Sequence, residues 1–226
     1  MLSSKIFEVK EDASLTTIAG KLRGYRVEED YGGKEGSIKL VTEVLDLKGD
    51  EDSLNGIFSK DYVVSTYFRG GAREVPITRE SPFLFKKRGG GMVLIVLEKK
   101  GRANYIANKL SEILFIKSGK ILEARIPPEA LRALHEKSPD ATKVIFFDDV
   151  DIPNIDKLSL YGSALASTGL YSSYLEHGKI WYVVFEFKKH SVVMGVTRNC
   201  VVTMFSKVER GEFLKCIIDD ILPLIR

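Results

Sequence analysis

Six basic residues stand close together between residues 86 and 102, and their spacing could place a phosphate-binding site at the start of a helix. One acidic residue, Glu98, lies among them. Backbone N–H groups at a helix N-terminus lack intrahelical partners and carry the positive end of the helix dipole, so anions bind there readily. The alternative is that the cations solubilise a loop and protect a sheet edge. The predicted anion- or nucleic-acid-binding residues are Lys86, Lys87, Arg88, Lys99, Lys100 and Arg102.

Two carboxylate-x-lysine triplets could support metal-dependent hydrolysis. Asp46-Leu47-Lys48 follows Asp30, and this order resembles the restriction-endonuclease-like superfamily, in which two carboxylates hold Mg²⁺ and a lysine assists the attacking water. Glu186-Phe187-Lys188 is a second triplet, with Asp148 and Asp149 upstream. A metal-dependent nuclease, or an inactive relative of one, is therefore an alternative function.

Sequence motifs for cofactor chemistry are missing. The chain contains no HExxH, GxSxG, Walker A or GxGxxG pattern, and its three histidines stand apart from one another. We therefore expect no cofactor and no bound metal, and a binding protein rather than an enzyme.

The segment from Ile152 to Gly178 is poor in charge and rich in tyrosine, serine, leucine and glycine. Tyrosine is enriched and charge depleted at the centres of protein interfaces. The segment therefore predicts a partner-binding or dimer interface that includes Tyr161, Tyr171 and Tyr174. The alternative is an internal segment that covers one end of a sheet.

The elements that position these residues begin with a central strand and helix. Met92 to Leu97 is an unbroken apolar run of the length of a buried strand. After the turn at Lys99-Lys100-Gly101, apolar residues recur at helical spacing. This predicted stripe consists of Ala103, Ile106, Ala107, Leu110, Ile113 and Leu114.

The first half of the chain predicts the element order β-α-β-β-β-β-α. Ser14 can cap the first helix, and the polar, glycine-containing residues 28–36 predict a turn. Arg69-Gly70-Gly71 and Arg88-Gly89-Gly90 favour hairpin turns over an RGG-type RNA-binding motif. The predicted strands are 5–10, 37–47, 62–68, 73–85 and 92–97.

The second half predicts the same order if residues 152–178 are an insertion or an irregular strand. Its predicted strands are 121–126, 143–147, 180–187, 192–198 and 200–208, with helices after Pro127 and up to Pro223. We therefore predict an α+β fold, with an antiparallel sheet, helices packed on one face, and two similar halves at 1–118 and 119–226. The shared element order indicates an internal duplication, and packing of the two halves as one continuous unit is the alternative to separate domains.

Strand, helix, four strands and helix, repeated twice, resembles the layout of the TATA-binding-protein fold. That fold is a curved antiparallel sheet with helices on its convex side. The resemblance is one of topology and covers most of the chain. It favours a role in contacting nucleic acid or a nucleic-acid-associated protein, although residues 48–85 and 152–178 depart from that layout.

Composition bounds the remaining possibilities. The 226 residues include no apolar run long enough to span a bilayer, and the N-terminal residues lack a signal-peptide core, so we expect a cytoplasmic protein without membrane contact. The net charge of +3 arises entirely in residues 1–118. The absence of glutamine beside abundant lysine, glutamate, arginine and isoleucine is typical of a thermophile. Cys200 and Cys216 fit apolar patterns of the core, with a disulfide as the alternative.

The leading hypothesis from the sequence is a non-enzymatic binding protein in information processing. It would contact nucleic acid through residues 86–102, or a nucleic-acid-associated protein through its sheet or residues 152–178. A nuclease-like enzyme and a structural dimer or scaffold are the alternatives.

Overall fold

A computed structural model describes residues 1–33, 36–137 and 141–225. These residues form twelve β-strands and five α-helices. They divide into two compact units. The first unit is Phe7–Leu122, and the second combines Met1–Ile6 with Glu123–Arg226. The boundary between the units falls inside β1 (Leu2–Val9) and β7 (Ile121–Glu123).

Five strands of the first unit form an antiparallel meander in chain order. Two-residue turns join the last three strands, with Phe68 opposite Gly71 and Arg88 opposite Gly91. Positive φ at both residues of each turn, 44° and 85° in one and 52° and 83° in the other, is what tight hairpin turns require. The predicted hairpin turns are therefore confirmed. The strands are β2 (Arg26–Gly33), β3 (Gly36–Gly49), β4 (Ser53–Phe68), β5 (Gly71–Arg88) and β6 (Gly91–Val96).

Residues 28–33 form a strand, so the turn predicted for residues 28–36 is wrong there, while residues 34 and 35 lie outside the described ranges. Strand β2 pairs with β3 from Arg26–Glu43 to Gly33–Gly36. Cross-strand charge pairs support this ribbon, including Arg26 Nη1 to Glu43 Oε2 at 2.7 Å. Because β2 is mostly exposed, its sequence lacks the apolar alternation that reveals a half-buried strand.

Two helices, α1 (Leu15–Leu22) and α2 (Lys100–Phe115), pack on one face of the first unit's strands. Ser14 Oγ accepts a hydrogen bond from Thr17 N at 3.0 Å and caps α1 as predicted. The apolar stripe of α2 is buried, except that Ile113 is only partly so. The helices cover a core that includes Phe7, Val44, Phe58, Phe85, Leu94 and Val96.

In the second unit, the first residues of β1 pair with the last strand, and the order continues antiparallel to an edge at β9. The remaining elements are β8 (Thr142–Asp148), β9 (Leu158–Tyr161), β10 (Lys179–Phe187), β11 (Val192–Thr197), β12 (Val201–Met204), α3 (Pro128–Lys137), α4 (Gly169–His177) and α5 (Arg210–Cys216). A π-helical turn and a 3-10 turn continue α5 to Leu224. Cys200 and Cys216 are both buried, which confirms their interpretation as core residues.

Both units combine antiparallel strands with helices, so the predicted α+β class is confirmed. Each unit has five described strands after its first helix, one more than predicted, and residues 152–178 contain β9 and α4. The strand orders differ. From β2 to β6, neighbours in the chain are neighbours in the sheet, whereas β8 rather than β9 lies beside β10. The structure therefore does not confirm an internal duplication.

Candidate functional site

The six predicted basic residues lie in two groups at opposite ends of β6. Lys86, Lys87 and Arg88 end β5, whereas Lys99 is the N-cap of α2 and the other two residues lie in its first turn. Strand β6 spans roughly 17 Å at about 3.3 Å per residue. A single phosphate cannot contact both groups.

The group at the end of β5 shares its surroundings with carboxylates. Lys87 and Arg88 line a cleft of about 720 Å³ together with Glu11, Asp12 and Asp52. Basic and acidic side chains therefore face the same space, which weakens any preference for anions.

Arg102 is committed to contacts within the first unit. Its Nε donates to Ser81 Oγ at 2.8 Å, and its Nη2 donates to the carbonyl oxygen of Arg79 at 2.9 Å. Its Nε also lies 3.2 Å from Glu98 Oε1, and the guanidinium lies over the ring of Tyr62 at 5.2 Å. With its side chain only 13% exposed, Arg102 holds the start of α2 against β4 and β5. Among the predicted residues of this helix start, Lys99 and Lys100 are the exposed ones.

Replacement of Arg102 by alanine is expected to destabilise the protein rather than to remove a ligand contact. Loss of its hydrogen bonds should lower the free energy of unfolding by about 1.5–3 kcal/mol, since hydrogen bonds to charged groups have that value. Chemical denaturation measures this change. Lys100→Ala is the matched control and should stay within about 0.5 kcal/mol of the wild type. Equal effects of the two variants would contradict the structural role.

The first carboxylate triplet is not assembled with its predicted partner. Asp30 lies opposite Lys39 in the β2–β3 ladder. Asp46 lies on β3 seven residues beyond Lys39, or roughly 23 Å at about 3.3 Å per residue. One Mg²⁺ ion cannot bind both carboxylates at that separation.

The second triplet is separated in the same way. Glu186 lies 3.5 Å from Lys143. Asp148 lies opposite Lys179, which is seven residues before Glu186 on β10 and therefore roughly 23 Å away. The described residues contain no group of three or more His, Cys, Asp or Glu side chains that could hold a metal ion.

The three predicted interface tyrosines are divided between the two faces of the second unit's sheet. Tyr171 is only 3% exposed, and its hydroxyl donates to Glu136 Oε1 at 3.4 Å. Burial raises the pKa of Tyr171. Tyr174 packs edge-on against Phe147 with centroids 5.7 Å apart. Tyr161, in contrast, is 67% exposed on the other face, so it is the member of the set that a partner can reach directly.

His135 lies beneath Tyr171, with ring centroids 4.7 Å apart, and is fully buried. Its Nδ1 is 2.7 Å from Thr142 Oγ1, and its Nε2 has no hydrogen-bond partner among the described residues. Burial disfavours the charged imidazole and lowers the pKa of His135.

The stability of the protein is therefore expected to fall as the pH decreases below about 6.5. In that range the unfolded chain protonates the histidine at its ordinary pKa, while the folded protein resists protonation, so acid favours unfolding. Thermal melting of the wild type and of His135→Gln between neutral and mildly acidic pH measures the effect. The variant should lose less stability on acidification, and parallel pH profiles would contradict the assignment.

A β-bulge in β10 brings two neighbouring aromatic side chains together. Ile180 lies opposite Phe147 and Tyr182 lies opposite Phe146, so Trp181 is an additional residue in β10. In a regular strand Trp181 and Tyr182 would project to opposite faces. At the bulge both rings contact Phe146, with centroid distances of 5.8 Å and 5.4 Å.

We call Phe146, Tyr161, Trp181 and Tyr182 the aromatic face. Phe146 is central and lies 5.8 Å from Tyr161, while the Trp181 and Tyr182 rings are 5.8 Å apart and tilted by 35°. Tyr161 is exposed and the other three rings are partly buried. Nζ of Lys157 lies 5.1 Å from the centroid of the Trp181 ring.

A glycine in β11 leaves room for the Tyr182 ring to lie over the strand. A Cβ atom at Gly195 would be 2.3 Å from Tyr182 Oη and 2.8 Å from two of its ring carbons. The ring therefore occupies the space that a side chain would fill. Burial of this ring raises the pKa of Tyr182.

Paired charges lie on or next to β8 and β10, the strands that carry three of the four rings of the aromatic face. The ion pairs are Lys143–Glu186 at 3.5 Å, Lys179–Asp149 at 3.5 Å and Arg198–Asp148 at 2.7 Å. Lys157 differs from these three cations. Within the described part of the chain, it contacts an aromatic ring and forms no ion pair with a carboxylate.

The fold and this surface define an α+β protein with an accessible aromatic face on an antiparallel sheet. The chain matches no protein-family model and no curated protein. Among the described helices, none combines the length and the apolar character needed to cross a membrane. The functional argument therefore depends on the geometry of the site.

Proposed function

We propose that the protein is a non-enzymatic binding protein whose aromatic face stacks against unpaired bases of single-stranded nucleic acid. The observation that carries the proposal is the set of four contacting rings on one accessible face of the second unit's sheet. Every base has a flat π face, and stacking on an aromatic side chain contributes about 1–3 kcal/mol per base. Aromatic side chains on a sheet surface are a recurrent means of holding splayed bases.

The position of the Tyr182 ring over Gly195 supports stacking, because the ring fills the space that a side chain at residue 195 would occupy. The indole of Trp181 is tilted by only 35° from that ring. Among the four contacting ring pairs of the aromatic face, these two rings are the closest to parallel.

The charges around the rings favour binding through stacking more than through phosphate contacts. Three of the four nearby cations already face a carboxylate. For single strands, each phosphate contact contributes about 0.7 to the slope of log K against log salt. We therefore expect a shallow salt dependence and discrimination against duplexes, whose bases are covered by their neighbours.

A protein partner is the second candidate ligand, and the ion pairs near the aromatic face favour it. Protein interfaces combine an aromatic centre with a polar rim. A titration with single-stranded oligonucleotides separates the two candidates, because only a nucleic-acid-binding protein should respond to it.

Trp181 is the only tryptophan of the chain, so intrinsic fluorescence reports directly on the proposed site. We expect oligouridylate or oligothymidylate to change the Trp181 emission saturably at low salt, while a duplex of the same length has much less effect. The proposal is wrong if neither oligonucleotide changes the Trp181 emission and neither shows binding in an anisotropy measurement. Sedimentation of the protein alone then tests self-association through this face.

Incubation of the same oligonucleotides with Mg²⁺ tests the nuclease alternative. Cleavage that Asp46→Ala or Glu186→Ala abolishes would establish an enzyme. Intact oligonucleotides are the result that a binding protein predicts.

A further inference from the structure

Lys157 is a cation that contacts a ring of the aromatic face. Its Nζ lies 5.1 Å from the Trp181 centroid, and its side chain is exposed. The residue immediately precedes β9, the strand that carries Tyr161. The ammonium therefore lies over a ring that the proposed ligand must contact.

The contact between Lys157 and Trp181 is weak enough for a base to replace it. An exposed cation–π contact changes an equilibrium constant by less than about tenfold. Stacking of one base on an aromatic ring is worth about fivefold to 150-fold. Competition for this face of the indole thus favours the base.

Displacement leaves the ammonium next to the ligand. Lysine carries its charge on a flexible four-carbon chain, so the group can leave the ring without movement of the backbone. Phosphates flank every stacked base and accept charge-assisted hydrogen bonds. No carboxylate in the described part of the chain forms an ion pair with Lys157 to hold it back.

We infer that Lys157 is a positioning residue that exchanges the Trp181 ring for a phosphate when a base stacks on the indole. This inference rests on the proposed function, because it concerns the same face. The exchange sets the position of the bound nucleotide, because its base stacks on Trp181 while the adjacent phosphate contacts Lys157. The same lysine shields the indole when no ligand is present.

The test compares Lys157→Gln with Lys207→Gln, which removes one exposed charge elsewhere in the second unit. The probe is fluorescein-labelled oligouridylate, and its anisotropy is followed over a salt series. We expect the slope of log K against log salt to become shallower by about 0.7 in Lys157→Gln, the contribution of one phosphate contact. Affinity at low salt should fall severalfold, and Lys207→Gln should match the wild type.

The outcomes separate this inference from the proposed function. If the wild type binds and Lys157→Gln keeps the wild-type slope, Lys157 contacts no phosphate and the inference is wrong while the proposed function stands. Tighter binding with an unchanged slope would show a lysine that only competes for the ring, which also overturns the inference. If the wild type does not bind the probe at all, both fail together.

Discussion

Replacement of Trp181 by alanine is expected to weaken the binding of single-stranded nucleic acid by about fivefold to 150-fold. The range corresponds to the loss of about 1–3 kcal/mol of stacking with one base. Because the variant lacks the fluorophore, binding is measured by the anisotropy of labelled oligouridylate. Trp181→Phe keeps an aromatic ring on the bulge and should retain most of the affinity.

Tyr67→Ala is the matched control for this experiment. Tyr67 is 75% exposed at the end of β4 and lies outside the aromatic face. Its removal should leave the affinity unchanged. If Trp181→Ala binds as tightly as the wild type while its melting curve shows a folded protein, the aromatic face is not the binding surface.

The sequence predicted the elements of the first unit well because they follow simple periodic patterns. The stripe of α2 repeats at helical spacing and is buried, and the glycine turns provide the positive φ that two-residue hairpins need. Strand β2 was missed because it is mostly exposed, so no hydrophobic alternation marks it.

The candidate site was less predictable because the bulge that assembles it is not visible as a sequence pattern. The doublet Trp181-Tyr182 lies in a segment that was correctly predicted as a strand, but alternation would send its side chains to opposite faces. Only the additional residue in β10 brings both rings to Phe146. The two adjacent aromatic residues were the only indication of the site in the sequence. The bulge that places both rings on one face depends on the pairing of β10 with β8.

For the basic residues between 86 and 102, proximity in the sequence wrongly suggested that they share one site. Strand β6 separates the two groups of cations, and Arg102 is occupied by contacts with β4, β5 and the residue Glu98. Charge density along a chain does not reveal which cations stabilise the fold. An anion site at Lys99 and Lys100 stays a prediction.

Replacement of Gly195 by alanine is expected to displace Tyr182 and to reduce both stability and binding. The new methyl group would stand 2.3 Å from Tyr182 Oη and 2.8 Å from two of its ring carbons, so the ring must shift from its position beside Phe146. Overpacking of this kind typically costs about 1–3 kcal/mol. Denaturant unfolding measures the loss, and oligouridylate binding should fall as far as it does in Tyr182→Ala.

A double-mutant cycle separates this steric mechanism from a general weakness of alanine in β11. In the Tyr182→Ala background the ring is absent, so Gly195→Ala meets no obstacle and should cost little or even stabilise the strand, since glycine weakens strand interiors. The two changes should therefore be strongly non-additive, with a coupling free energy of about 1–3 kcal/mol, as expected for residues in contact. Additive effects would show that Tyr182 does not depend on the space above Gly195. In that case Gly195 would not be the residue that positions the Tyr182 ring within the aromatic face.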